Sequence, residues 1–207
     1  MKRDSEQTKA RILQCAIKLF AEKGFDGARV DELAGLAGVN KALIYYYFKS
    51  KEEILETIFD CFIKEANGIL MEMASTGVSF DSKEMGLYMK QYSKYLLENS
   101  DILKIMMIES IKGKTKVPPV FKLIDISSPE GTDEEQIIIE MQKRGFNLET
   151  NRNQRLIIEF FTGIIPEICF SIFRKQWCNH FKVSNADCVT MFKKAIDMTH
   201  KEHYKNK

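Results

Sequence analysis

The chain has 207 residues, 44% apolar and 29% charged, with 11 Gly and 4 Pro. That composition excludes a disordered or collagen-like chain, and the length is enough to bury a substantial core. A formal charge of +2 names no partner by itself, but its distribution is uneven: residues 1–51 hold ten Lys/Arg against six Asp/Glu, and residues 52–207 hold twenty-one against twenty-three. Any surface for a polyanion is therefore expected at the N-terminal end.

Ile12, Ala16, Leu19 and Phe20 fall at i, i+4, i+7 and i+8, which predicts an amphipathic helix from about Ser5 to Lys23 that stops at Gly24. Val30, Leu33, Ala34 and Ala37 repeat the spacing over two turns, and Gly38 then supplies backbone freedom for a sharp change of direction. Asn40 is placed to cap the next helix. In that helix Ile44 and Phe48 share the inward side, which leaves Lys41, Ala42, Tyr45 and Tyr46 outward and Leu43 and Tyr47 on the flanks. Ser50 stands three residues before Glu53, a capping box for a long helix running to about Thr76.

Helical patterns continue over about Ser82–Glu98, Asp101–Lys112 and Asp133–Arg144. "KVPPVFKLIDISSPEGT" interrupts them with Pro118, Pro119, Pro129 and Gly131, leaving room for one short helix around Val120–Ile126. Two helices close the chain, about Asn153–Trp177 and Asn185–His203. The first is apolar on nearly every side, which predicts burial all round or a subunit interface, and Pro166 within it predicts a kink. No segment alternates as a strand, so the expected fold class is all-α.

Two short helices around a sharp turn, the second capped by a polar residue and faced with Lys, small residues and tyrosines, match a helix-turn-helix whose second helix enters the major groove. Tyrosine suits that surface. Its hydroxyl bonds a phosphate or base edge while its ring lies on sugar or a thymine methyl. The competing reading places the tyrosines in the core of an ordinary three-helix domain.

The stretch "RILQCAIKLFAEKGFDGARVDELAGLAGVNKALIYYYFKSKEEIL" resembles the DNA-binding domain of TetR-family transcriptional regulators. The Phe-Ala-Glu-Lys-Gly-Phe close of the first helix, Ala34 with Gly38 and Val39, and Tyr-Tyr-Tyr-Phe-Lys-Ser-Lys recur in order. The resemblance covers about a quarter of the chain, residues Thr8 to about Leu55. It implies a helix-turn-helix DNA-binding domain over residues 1–52 and a helical regulatory, ligand-binding and dimerisation domain over 53–207. It also implies that Lys41, Tyr45, Tyr46 and Tyr47 lie in the recognition helix and that Lys51 meets a phosphate, a placement that helix N-termini favour in any case. Two positions depart from the usual pattern. Leu43 stands where the family often has Thr or Ser, trading a polar contact for a thymine methyl, and Arg29 stands where a small hydroxyl residue commonly starts the second helix, adding a candidate phosphate contact.

Further along, the resemblance implies an inducer pocket within residues 76–180. The candidate lining is Ile69, Leu70, Met73, Met85, Tyr88, Met89, Tyr92, Ile102, Met106, Phe121, Phe160 and Phe161, since thioethers and aromatics fill irregular apolar space; most of the methionines are equally at home in a core. Phe161, Ile165, Phe173, Met191 and Ala195 are the candidate interface of a homodimer, because one chain cannot easily cover that apolar excess. The expected partners are thus a double-stranded DNA operator, a second copy of the chain and a small-molecule inducer.

The remaining signals are weak. Cys178 with His180, or His200 with His203, supplies no four-ligand spacing, so no metal is expected, and no cofactor. GxSxG, P-loop, HExxH and GxGxxG are absent, which argues against an enzyme. Cys15 and Cys169 fall in apolar helical patterns and read as core thiols, whereas Cys178 and Cys188 are open to either a structural or a redox reading. An odd cysteine count without CxxC spacing or a leader fits a cytoplasmic protein, and no run approaches the ~20 consecutive apolar residues of a membrane span. The expected function is a ligand-responsive repressor. The alternatives are an activator or partner-responsive regulator of the same type, or an enzyme or helical scaffold.

Overall fold

The computed structural model describes residues 2–79, 82–125 and 134–204. Among these residues every regular element is helical, as the patterns predict. The chain divides into two compact units, Met1–Lys64 with Asp101–Pro119, and Glu65–Ser100 with Val120–Lys207. The first unit thus extends past the expected boundary at residue 52, and it recruits a segment from the middle of the chain.

In the first unit, α1 (Lys2–Gly27) leaves helical geometry at Gly24, where φ is 75°, a conformation glycine adopts without a Cβ penalty. Helices α2 (Val30–Ala37) and α3 (Lys41–Tyr47) follow. Ile12, Ala16, Leu19, Phe20, Leu33, Ala34, Ala37 and Ile44 are buried, together with Phe48 between α3 and α4 (Lys51–Ser75) and with Ile54, Ile58, Phe59 and Phe62 of α4. These α4 side chains are what carry the unit beyond residue 52. Helix α6 (Ser100–Lys112) buries Ile102, Leu103, Ile105 and Met106. It is fastened to α1 by Lys104 Nζ, which donates to the Ala21 carbonyl at 2.9 Å, and by Lys112 and Lys114, which reach the Asp26 carboxylate at 3.0 and 2.9 Å. Those two ammonium groups hold Asp26 down at about 2. Sequence periodicity gives no sign of this return of the chain.

The second unit contains the C-terminal part of α4, α5 (Lys83–Glu98), a 3-10 turn at Pro119–Leu123, α7 (Glu134–Lys143), α8 (Arg152–Ile158), α9 (Ile165–Phe181), α10 (Asn185–Met198) and a 3-10 turn at Lys201–Tyr204. The expected helix over Val120–Ile126 is this tighter 3-10 turn; Ile126 and Asp133 lie outside the described residues. The expected single helix over Asn153–Trp177 is interrupted between α8 and α9 by a π-turn, Glu159–Ile164. Proline explains its position. Pro166 has no N–H and its ring crowds the carbonyl one turn earlier, so the distortion falls on the preceding turn. Thr162 Oγ1 donates to the Ile158 carbonyl at 2.6 Å there. The last expected helix is shorter than its pattern, ending at Met198.

A polar cluster sits at this turn. Tyr204 donates its hydroxyl to Glu159, and His200 Nδ1 lies 2.8 Å from Thr162 Oγ1. A Cβ on Gly163 would fall 2.7 Å from the His200 ring, so only glycine lets the ring lie against the backbone here.

Candidate nucleic-acid interface

The turn between α2 and α3 is built from backbone hydrogen bonds. Gly38 takes φ 62° and ψ 38°, and the Gly38 and Val39 N–H groups donate to the Gly35 and Ala34 carbonyls at 3.2 and 3.0 Å. Asn40 then accepts from the Leu43 N–H at 2.8 Å, starting α3 as its sequence predicts. Helix α2 begins at Arg29 without a side-chain cap, the local consequence of having no hydroxyl residue at that position.

With Ile44 1% exposed and Phe48 buried beneath it, α3 has an unambiguous inner face. Its outer face carries exposed Lys41 and Ala42, Tyr45 at 46% and Tyr46 at 78% exposure. Leu43 is half-buried on the flank. The reading of all three tyrosines as core residues therefore fails for Tyr45 and Tyr46. Tyr47 turns back instead: its hydroxyl donates to Ser5 Oγ at 3.1 Å, and its ring meets Tyr46 edge-on at 5.2 Å.

The two lysines differ from free phosphate ligands. Lys41 Nζ lies 3.0 Å from the Asp31 carboxylate, and that hydrogen bond raises the ammonium pKa. Lys51 Nζ donates to the Phe25 and Ala28 carbonyls at 2.7 and 3.0 Å and sits 4.4 Å from the Phe25 ring centroid. One of its three protons is left for another acceptor. Arg29 is exposed. Two further residues support this surface without a local sequence pattern to mark them: Ser5, which positions Tyr47, and Lys9, whose ammonium lies 5.3 Å from the Phe48 ring centroid; the positive charge of residues 1–51 points to Lys9 alone.

The capping box that opens α4 is present in altered form. Ser50 Oγ accepts from the Glu53 N–H at 3.2 Å, while the Glu53 carboxylate reaches the Lys49 N–H at 2.5 Å, one residue earlier than the usual pattern.

The other candidates separate by unit. Ile102 and Met106 are buried within the first, whereas Ile69, Leu70, Met73, Met85, Tyr88, Met89, Tyr92, Phe121, Phe160 and Phe161 belong to the second. In the second unit the Phe160 ring stands edge-on between Phe121 and Phe161, at 5.3 and 5.1 Å. Met85 is buried, and Phe121 and Phe161 are exposed. Ile165 is half-buried, while Phe173, Met191 and Ala195 are exposed. The helical stretch Arg152–Phe181 is long and apolar enough, by length and composition alone, to cross a membrane. Among the described residues no group of three or more His, Cys, Asp or Glu is gathered as a metal site.

Comparison with known proteins bears on both units. Residues 12–58 match the family "Bacterial regulatory proteins, tetR family". The chain is 41% identical over 63 residues to the biofilm operon icaADBC HTH-type negative transcriptional regulator IcaR of Staphylococcus aureus, covering 30% of this chain and 34% of that protein. It is 45% identical over 58 residues to the HTH-type transcriptional repressor SCO4008 of Streptomyces coelicolor, covering 28% and 30%. The match thus spans about a third of the length of these curated relatives. Solved structures extend the likeness in fold to nearly the whole chain. A TetR-family transcriptional regulator from Haemophilus influenzae superposes with a TM-score of 0.58 at 18% identity, covering 97% of this chain and 98% of that one. A mutant of HlyIIR gives 0.57 at 22%, covering 98% and 99%. The helix-turn-helix region, residues 12–58, is thus similar to the TetR family of bacterial regulatory proteins, and the solved structures share the fold along nearly the whole chain.

Proposed function

We propose that the protein is a cytoplasmic, homodimeric, sequence-specific DNA-binding repressor that a small apolar or amphipathic ligand releases from a palindromic operator. The observation that carries the DNA-binding reading is the outer face of α3. Tyr45 and Tyr46 stand exposed on a capped, rigidly turned helix whose other side is closed by Ile44, and the matched relatives IcaR and SCO4008 are transcriptional regulators. In the complex, α3 lies in the major groove with Lys41, Ala42, Leu43, Tyr45 and Tyr46 toward the bases. Arg29 and the free proton of Lys51 meet phosphates, and Tyr47, held by Ser5, buttresses Tyr46.

The dimer reading rests on the exposed apolar side chains of α9 and α10, Phe173, Trp177, Phe181, Met191 and Met198, with Phe161 of the π-turn. Charged side chains at Arg155, Glu159, Glu167, Arg174 and Lys175 interrupt the Arg152–Phe181 stretch. A protein interface accommodates them better than a bilayer core does. Two-fold pairing sets two recognition helices one DNA turn apart, ~34–36 Å, or a multiple of it.

For release, the supporting feature is α4, a continuous helix of 25 residues, about 38 Å long at 1.5 Å per residue, which contributes to both compact units. A ligand held in the second unit near Ile69, Leu70 and Met73 and the Met85–Tyr92 face of α5 acts on DNA through that helix. A hundredfold loss of operator affinity requires about 2.7 kcal/mol of preference for the released state. A gel-shift against the DNA flanking the protein's own gene tests the central claim. A shift competed by that fragment and not by unrelated DNA supports it; equal competition by both rejects it.

A further inference from the structure

The π-turn at Glu159–Ile164 carries one residue more than an α-helical turn would, and such a bulge persists where its surroundings hold it. Here His200 and the turn after it do so. The Thr162 hydroxyl donates its one proton to the Ile158 carbonyl at 2.6 Å, so toward His200 it can only accept. His200 Nδ1, 2.8 Å away, is therefore the donor. Burial lowers the His200 pKa against the charge of Glu159, which keeps the ring neutral and leaves a lone pair on Nε2. That lone pair faces Glu159 Oε2 at 3.6 Å and gives it no proton. The carboxylate is served instead by Tyr204, 6% exposed, which donates its hydroxyl to Glu159.

Tyr204 is itself anchored. Its carbonyl accepts from the Asn147 N–H at 2.9 Å, and its ring meets His200 edge-on at 5.1 Å. Residues 200–204 are thus bound to the segment after α7 and, at two points, to the π-turn. A third restraint is steric. A Cβ on Gly163 would fall 2.7 to 3.1 Å from three atoms of the His200 ring, so the ring seats only on a glycine. The same π-turn carries Phe160, edge-on to Phe121 at 5.3 Å, and Phe161, 62% exposed. At 3.6 residues per turn, loss of the extra residue would rotate these side chains by about 100° relative to α9.

We propose that the C-terminal turn is a clasp that selects the π form of this helix and so positions Phe160 and Phe161. Closed, it holds Phe160 on Phe121. Open, the turn rewinds toward α-helix and Phe160 leaves that partner. His200 and Tyr204 are positioning residues in this scheme, although they lie beyond the segment 76–180 in which a pocket is expected. The bearing on ligand or dimer rests on the roles proposed above for Phe160 and Phe161; the clasp itself does not.

Two variants open the clasp without removing bulk from the core. Tyr204→Phe deletes one hydroxyl, and Gly163→Ala pushes the His200 ring aside while adding a better helix former. In the full chain, without DNA or ligand, each should speed amide exchange over residues 159–165 and 200–204 by about tenfold. Each should also weaken the nuclear Overhauser contact between the Phe121 and Phe160 ring protons, with protection of α5 and total helical content unchanged. Combining the two should add little, because both act through one clasp. An intact Phe121–Phe160 contact in both variants overturns the proposal, whatever the exchange rates do. Loss of protection across the whole second unit in both overturns it too, since the cluster would then be ordinary core packing. Neither readout involves operator or inducer, so a failure here leaves the proposed function standing.

Discussion

The Lys51 ammonium donates to the Phe25 carbonyl oxygen at 2.7 Å, tying the first turn of α4 to the end of α1. Ala28 accepts a second bond at 3.0 Å, and the Phe25 ring lies beneath the charge. The carbonyls at a helix end lack intrahelical donors, so one cation here satisfies two of them and orients α4 against α1. Lys51→Ala is expected to destabilise the protein by about 1–3 kcal/mol in a denaturant melt without DNA. If the third proton meets a phosphate, the salt slope of operator binding should also fall by about one per subunit. Unchanged stability would show that the carbonyl ties contribute nothing net.

Tyr46 separates the two kinds of contact from the other side. It is the most exposed residue of the three-tyrosine run, so Tyr46→Ala should leave folding almost untouched. Operator affinity should drop by roughly 1–3 kcal/mol, with little change in binding to random DNA. Tyr46→Phe isolates the hydroxyl. Competition titrations at fixed salt measure both, and full operator affinity in folded Tyr46→Ala would remove α3 as the reading surface.

The helix-turn-helix was legible because its determinants are local. Gly38 needs a left-handed turn, Asn40 needs a following N–H, and Ile44 and Phe48 need one face, so four residues specify the motif within one window. What the sequence hid is non-local. Nothing near Asp26 announces that Lys112 and Lys114 return to it, and nothing at Lys51 says that carbonyls 23 and 26 residues earlier will claim its protons. Pro166 was readable as a disturbance on the preceding turn, but the polar side chains gathered at that turn, Thr162, His200, Glu159 and Tyr204, come from distant parts of the chain and were not. The domain boundary was displaced for the same reason: burial of Phe59 and Phe62 belongs to packing, and a motif match does not extend to it.

Exposure on the last two helices sharpens the choice of interface variants. Phe173 is 57% and Met191 62% exposed in the single chain, whereas Ile165 is half-buried, so a charge at Ile165 would damage the second unit itself. Phe173→Glu and Met191→Glu each place a charge on the outer face alone. Sedimentation should show the wild-type protein as a dimer at micromolar concentration and the double variant as a folded monomer, with helical content retained. A wild-type monomer under those conditions would count decisively against the assigned interface.

Glu167 gives the second unit a pH dependence of unusual sign for a carboxylate. It sits on α9 facing α5, where Ser93 Oγ lies 3.5 Å from Glu167 Oε1. Burial raises its pKa from 4.5 to about 7, against smaller opposing effects from the Ser93 hydroxyl and from Lys193 and Lys201. The folded chain therefore holds this proton more tightly than the unfolded chain does. The stability linked to it is fully present below about pH 4.5 and is lost as pH rises through about 7, because ionisation then forces a charge into a poorly solvated position. Glu167→Gln keeps the shape and removes the charge. In urea titrations the variant should be more stable than the wild type by about 1–3 kcal/mol at pH 8, and the difference should shrink toward zero at pH 5. Tyr92, pushed up by burial and by the charges of Glu167 and Glu159, stays neutral across that range and does not confound the comparison. An equal difference between variant and wild type at the two pH values would mean that packing, not ionisation, separates them, and the raised carboxyl would have to be abandoned.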